Sequence, residues 1–260
     1  MINSLWIAKT GMEAQQTQLD VISHNLANVS TTGYKRANAV FEDLIYQNLR
    51  QVGAQTTEQS QLPTGLHLGL GVRTVATARN FMQGSMQQSN NNLDVAIKGN
   101  GFFEVTQPDG TIGYTRDGSF QLDSQGRLVT SSGLPIANGI TVPANATSVS
   151  ISAEGAVTAT VPGNTAPQPL GNIAMATFVN PGGLEPRGQN LFIETAASGQ
   201  PQQGTPGTNG LGTIMQGYLE TSNVNVVQEL VTMIQTQRAY EMNSKAIQTS
   251  DQMLAKLSQM

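Results

Sequence analysis

Cysteine is absent from the sequence, which removes disulfides, thiolate metal sites and a cysteine nucleophile together. Charge is scarce as well: Asp, Glu, Lys and Arg make up 12% of the chain, about half the share of an ordinary soluble domain. Gln, Asn, Ser and Thr take the vacated places, giving a polar surface with little self-repulsion. With a formal net charge of -4 and no basic run, nucleic-acid phosphates find no electrostatic footprint, and no nucleic-acid partner is expected. No stretch approaches the roughly 18 apolar residues of a membrane-spanning helix. The opening MINSLWIAKTGMEAQQ lacks the charged start, apolar middle and small-residue cleavage site of a secretory leader. Any route out of the cytoplasm is expected to need no cleaved signal.

What is present is heptad periodicity at both ends. Leu5, Met12, Leu19 and Leu26 fall seven apart, and Ala8, Gln15, Ile22 and Val29 sit three after each. This is a helical seam with one polar position. The far end repeats the device with Val226, Met233, Tyr240, Ile247 and Leu254, followed four residues later by Leu230, Gln237, Ser244 and Asp251. Its second row is mostly polar. Polar residues on a seam are a means of fixing register and partner, so Gln15, Gln237, Ser244 and Asp251 are expected to select neighbours. A helix from about 222 to 257 would reach roughly 54 Å. Neither seam is wide enough to be buried by one helix alone, and other copies of the chain are the economical partners.

Between the ends the pattern changes. Residues 36–70 are Gln-rich and end in LPTGLHLGLG, which favours an extended or irregular path. Residues 71–220 read as short strands with turn punctuation, Asp109-Gly110 and Asp117-Gly118 being hairpin signals. The expectation is an α+β chain in four parts. Residues 1–35 hold the N-terminal helix of a coiled-coil-like inner domain, and residues 36–70 an extended stretch. A central, mostly antiparallel β domain follows over 71–220, and the C-terminal helix of the inner domain over 221–260.

Candidate chemistry is thin. His24 lies in SHNLANVSTTGYKR beside Ser23 and Asp20, and the only other histidine is His67, with no metal-ligand spacing between them. Adjacent helical residues face different ways, so Ser23 and His24 do not make a triad. The stretch reads better as a helix end. Val29 is its last seam residue, Ser30, Thr31 and Thr32 serve the turn, and Gly33 supplies a positive φ. Asp94, Glu104, Asp109, Asp117 and Asp123 could suggest paired glycosidase carboxylates, but Asp109 and Asp117 precede glycine and Asp123-Ser124-Gln125-Gly126 is turn chemistry. No cofactor, metal or enzymatic activity is expected.

SHNLANVSTTGYKR closely resembles the N-terminal signature of the flagellar rod and hook protein family. GVRTVATARNFMQGSMQQSNNNLDVAIKGNGFFEV, YTRDGSFQLDSQGRL and GYLETSNVNVVQELVTMIQTQRAYEMNSKAIQTSDQML resemble its other blocks, in the family order. The total length, the single modest β domain and YQNLRQVGAQTTEQSQLPTGLHLGLG resemble rod members, the last being a stretch that hook members lack. A distal position in the rod is implied.

The resemblance implies a structural subunit that assembles head to tail into a hollow helical tube of the basal body, transmits torque to the hook and lines an export channel. Implied seam residues are Leu5, Met12, Leu19, Ile22, Leu26 and Val29 at one end, with Val226, Leu230, Met233, Tyr240, Ile247 and Leu254 at the other. Tyr46, Gln55, Gln59, Pro63 and Gly65 mark the rod-like stretch, expected to lie extended between neighbours and tie them. Implied partners are the chain itself, proximal rod proteins, hook protein, surrounding P- and L-ring proteins, a rod cap protein and the flagellar type III export apparatus. The implied place is the rod crossing the periplasm. Another axial protein of the family and a secreted β-rich adhesin are the competing readings.

Overall fold

The computed structural model describes residues 2–53, 55–57, 60–61, 63–163 and 166–258. Two helices, α1 (Ile2–Ala27) and α2 (Val226–Ser258), flank a run of short strands. The chain forms two compact units, one of residues 1–26, 37–78 and 225–260 and another of residues 27–36 and 79–224.

In the first unit α2 runs for 33 residues without Gly or Pro. Its start is set by Asn225, whose side-chain oxygen accepts from the N–H groups of Val227 (3.1 Å) and Gln228 (3.2 Å), satisfying donors that the helix itself leaves free. The two helices touch at Asn25 and Glu229, 3.4 Å apart. A second contact lies at Gly11, where a Cβ would stand 3.0 Å from Asn243 Nδ2. Going back fourteen residues on α1 goes forward fourteen on α2, so the pair is antiparallel.

The same unit holds an antiparallel ribbon. Strand Ala37–Asp43 pairs with Val72–Arg79, and Tyr46–Arg50 pairs with Leu66–Gly69 in the register Tyr46↔Gly69. The short strands Gln55–Thr57 and Ser60–Gln61 continue the same antiparallel sense. From Ala37 to Arg50 the ribbon is roughly 45 Å long at about 3.4 Å per residue. Ile45, Tyr46, Leu49, Val52, Leu66 and Leu68 are all exposed on it. An isolated two-stranded ribbon is marginal in water, and this one offers apolar side chains that no described residue of its unit covers.

The second unit is built on a six-stranded antiparallel sheet in the order Glu185–Gly188, Leu191–Ile193, Ile112–Thr115, Phe102–Thr106, Met175–Thr177, Gln202–Gly204. Strand alternation sends adjacent phenylalanines to opposite faces. Phe103 joins Val95, Ile97, Phe120, Leu128 and Ile173 in the larger core, while Phe102 joins Tyr114, Phe178, Leu184 and Phe192 in a smaller aromatic one. Edge-to-face contacts, such as Tyr114 on Phe178 at 4.8 Å and 87°, add to the burial.

Asp109-Gly110 makes the hairpin turn between Phe102–Thr106 and Ile112–Thr115. Asp117-Gly118 does not. There the chain leaves the six-stranded sheet and passes so close to Val95 that a Cβ on Gly118 would stand 1.6 Å from the Val95 carbonyl oxygen. Glycine is required for close backbone approach, a need that leaves the same Asp-Gly signature as a turn.

Side-chain amides replace missing charge in holding backbone segments. Gln216 accepts from Ile151 N–H and donates to the Val149 carbonyl. Gln83 brackets Ile97 and Gly99 in the same way.

Candidate assembly surface and its buried polar nodes

The segment SHNLANVSTTGYKR is where α1 stops and two polar nodes begin. α1 ends at Ala27, so Val29 lies in the following turn, where Thr31 N–H donates to the Asn28 carbonyl. Gly33 has φ +69°, and a Cβ there would meet the Asp117 amide at 2.7 Å. A left-handed residue and a close approach coincide at that position.

The first node, in the helical unit, is centred on Asn25, which is 1% exposed. Its amide donates to the Ala37 carbonyl (2.8 Å) and accepts from the Ala37 N–H (3.0 Å) while reaching Glu229. Glu229 is itself buried in the first turn of α2, where the helix dipole favours a carboxylate. The end of α1, the root of the ribbon and the start of α2 are thereby tied through one side chain.

The second node, in the β unit, is ionic. Lys35 is 0%, Glu220 1% and Arg116 3% exposed. Lys35 Nζ lies 2.6 Å from Glu220 Oε1 and Arg116 Nη1 lies 3.3 Å from Oε2. The Gly84 N–H also donates to Oε1 (2.8 Å), Lys35 donates to the Met82 carbonyl (2.9 Å), and Gly33 N–H donates to the Glu220 backbone carbonyl. Burial lowers the pKa of Lys35 and Arg116, opposed in both by Glu220. Nearby, Asn223 accepts from Arg36 N–H and donates to the carbonyls of Asn80 and Met82. Composition hid this node: Lys35, Arg116 and Glu220 sit in three separate blocks, and its one signal is charge retained inside otherwise apolar or Gly-rich stretches of a charge-poor chain.

The anticipated seam residues fall into two groups. On α1, Ile22 is fully buried and Leu5, Met12, Leu19 and Leu26 are half-buried, as is Val29 beyond the helix. On α2, Met233 and Ile247 are half-buried, whereas Val226, Leu230, Tyr240 and Leu254 are exposed. The α2 residues that meet α1 or are buried at heptad spacing are Glu229, Thr236 and Asn243. This polar row lies one residue before Leu230, Gln237 and Ser244, which rotates the α1-facing side by about 100°. Consequently Val227 (71% exposed), Leu230, Val231 and Ile234 form an open apolar stripe at i, i+3, i+4, i+7.

On the ribbon, exposed Tyr46 donates to Asp43 (2.8 Å), and Gln55 pairs through its backbone with Gln61. Pro63 stands in the bend before Leu66–Gly69, and Gly65 packs so that a Cβ would lie 2.8 Å from the Arg50 carbonyl. Gln59 lies outside the described residues.

His24 is exposed on α1. Among the described residues no group of three or more His, Asp or Glu is placed to hold a metal, and no helix is long and apolar enough to cross a membrane. Asp109, Asp117 and Asp123 each accept from the backbone N–H and hydroxyl of a following Thr or Ser, and Asp94 is held by Ser89 and Asn91. These carboxylates are committed to turns.

Glu104 differs, being 3% exposed with Oε1 lacking a hydrogen-bond partner among the described residues. Burial pushes its pKa above the ordinary glutamate range, against a hydrogen bond from Gln203 that lowers it. A carboxyl whose folded pKa is raised stabilises the fold below its unfolded value, and that contribution is lost as pH rises through the folded value. Glu104→Gln is therefore expected to raise the melting temperature at pH 7–8 by about 2–4 °C, the shift that ~1 kcal/mol produces at this size. The gain should vanish at pH 4 in a thermal scan followed by circular dichroism.

Residues 5–35 match the family described as flagella basal body rod protein, residues 96–159 the flagellar hook protein FlgE/F/G D1 domain, and residues 215–260 the flagellar basal body rod FlgEFG protein C-terminal family. Lys35, Arg116 and Glu220 lie one in each of these segments. The chain is 57% identical over 260 residues to the flagellar basal-body rod protein FlgG of Buchnera aphidicola subsp. Acyrthosiphon pisum, covering all of both chains. It is 44% identical to that of Caulobacter vibrioides, over 100% of this chain and 99% of the relative. With that of Bacillus subtilis the identity is 36%, over 99% and 98%. Matched in order by all three families and end to end by such relatives, the chain belongs to the flagellar basal-body rod and hook protein family, in the company of its FlgG members.

Proposed function

We propose that this chain is the structural subunit of the distal rod of the bacterial flagellar basal body and carries no active site. It polymerises with itself into a hollow helical tube that transmits torque from the motor side to the hook and conducts exported subunits. The observation that carries this reading is the division of α2 into two stripes. Its polar row is occupied by the chain's own α1, and the apolar stripe Val227, Leu230, Val231, Ile234 is left for helices of neighbouring copies. In the tube the helices of residues 1–35 and 221–260 pack as a coiled-coil-like inner domain, residues 36–70 act between subunits and residues 71–220 form the outer β domain. Non-closing contacts of this kind generate a filament. The partners are proximal rod proteins below, hook protein above, the P- and L-ring proteins around, a cap protein at the growing end and the type III export apparatus that delivers the chain across the periplasm. Electron microscopy of concentrated protein tests the reading: straight tubes are expected, and a protein that stays monomeric at all concentrations would refute it.

The ribbon distinguishes a stiff shaft from a bending hook. Its exposed apolar and Gln-rich faces bind across subunits, each hydrogen bond contributing about 1 kcal/mol against sliding. Deleting Tyr46–Pro63 removes one strand of the outer ribbon and its tip but keeps the root Ala37–Asp43/Val72–Arg79. The expected product still assembles through its helices and gives curved, flexible tubes. Straight, stiff tubes from the deletion variant would show that the ribbon has no such role.

A further inference from the structure

One face of the six-stranded sheet is covered only in part. The aromatic cluster of Phe81, Phe102, Phe178, Leu184 and Phe192 closes one half, and beside it lies an open groove of about 630 Å³. Tyr114 lies opposite Glu104 across the paired strands and lines the groove, as does Gln203, which holds the second Glu104 oxygen. The walls carry Glu194, Asp109 and Arg187. Arg187 stands 3.8 Å from Asp109, so one wall is locally neutral. Glu194 and Glu104 together raise the Tyr114 hydroxyl, itself pushed up mainly by burial, to about 12. Two carboxylates on the walls face one guanidinium, and beneath Tyr114 and Gln203 sits the Glu104 carboxyl, 3% exposed, one oxygen of which receives no hydrogen bond from any described residue.

We infer that this groove is a docking slot for a lysine-bearing extended segment of a protein partner, its ammonium seated between Glu194 and the Glu104–Tyr114 pair. The chemistry supports that occupant on two counts. The walls have uncompensated negative charge. The Glu104 oxygen lacks the N–H donor that an ammonium brings, and exposed Gln203 is the residue that turns aside to admit it. The volume exceeds what a single side chain fills, so backbone on either side of the lysine lies in the groove with it. This slot is separate from the helices and ribbon invoked for self-assembly, and it stands whether or not that assembly reading holds.

The test uses the full-length protein with ¹³C-labelled isoleucine δ1 methyls, reading Ile112 and Ile193 in the groove wall while three probes are added at low salt. The probes are the capped tripeptide Gly-Lys-Gly, the capped tripeptide Gly-Gln-Gly, and cadaverine. Saturable shifts with the lysine peptide are expected, at least tenfold weaker with the glutamine peptide and with cadaverine. Glu194→Gln, an exposed substitution that leaves the core intact, should weaken the lysine peptide at least fivefold, and Glu104→Gln should do the same with unchanged Phe102 and Phe178 ring signals. Equal response to the glutamine peptide, absence of saturation, or indifference to both substitutions would overturn the proposal. Cadaverine binding as tightly as the peptide would replace the protein segment with a small amine and overturn it equally.

Discussion

Glu220→Ala is expected to abolish cooperative folding of the β unit at 37 °C. The variant removes the carboxylate that, among the described residues, pairs with both Lys35 and Arg116, each essentially without solvent, and it strips an acceptor from the Gly84 N–H. Removing one partner of a buried pair costs about 3–5 kcal/mol because the remaining charge is stranded. Here two charges are stranded against a total stability of about 5–15 kcal/mol. Loss of near-ultraviolet circular dichroism and of the thermal transition is the expected readout, and a transition within 3 °C of the parent would contradict it.

Two companion variants separate charge from hydrogen bonding. Glu220→Gln keeps an acceptor for Lys35 and Gly84 but not the charge, so it should lose less than the alanine form. Alkaline pH should partly rescue both. Burial is the largest influence lowering the Lys35 pKa, and without Glu220 nothing in the pair opposes it. A base with a depressed folded pKa releases its proton earlier when folded, so stability rises with pH between the folded and unfolded values. The parent, in which Glu220 opposes but does not cancel the lowering of Lys35, should show a smaller gain.

The parts that periodicity governs were legible: both helices, the strand-rich middle, and the Asp109-Gly110 turn follow from local patterns of 3.6 and 2 residues. The side of α2 that meets α1 was not. Heptad counting favours the row with the most apolar members, whereas the row that meets α1 or is buried holds Glu229, Thr236 and Asn243, with Asn25 donating to Glu229 and Thr236 donating to the Thr232 carbonyl. Once hydrogen-bonded, such groups are admitted to a helix interface at little cost, and no hydropathy pattern announces them. The ribbon was foreseen as an extended path but not as a ladder, because pairing Tyr46 with Gly69 depends on register across a Gln-rich turn that hydropathy does not specify. The ionic node was invisible for a third reason. It joins residues 35, 116 and 220, and sequence separations of 81 and 104 carry no local signal.

The second large effect follows from the open stripe. Leu230→Asp and Ile234→Asp each place a carboxylate on α2 where the free chain exposes the side chain to water. The folded monomer should therefore be unaffected, its melting temperature within about 1 °C of the parent, since surface substitutions away from structural features seldom exceed ±0.5 kcal/mol. In a polymer whose neighbours cover the stripe, the same carboxylate would be buried without a partner, at a cost of several kcal/mol per interface. Every subunit repeats the defect, so tube formation should disappear at any attainable concentration, and cells carrying either variant should be non-motile. Ile22→Asp supplies the contrast. Ile22 is 1% exposed within the chain itself, so its variant should lose monomer stability first and assembly only as a consequence. Sedimentation and thermal melting of the three proteins separate the cases. A Leu230→Asp or Ile234→Asp protein that still forms tubes would mean that neighbouring copies do not use this stripe, and the polar row of α2 would then have to be sought as the surface of contact between subunits.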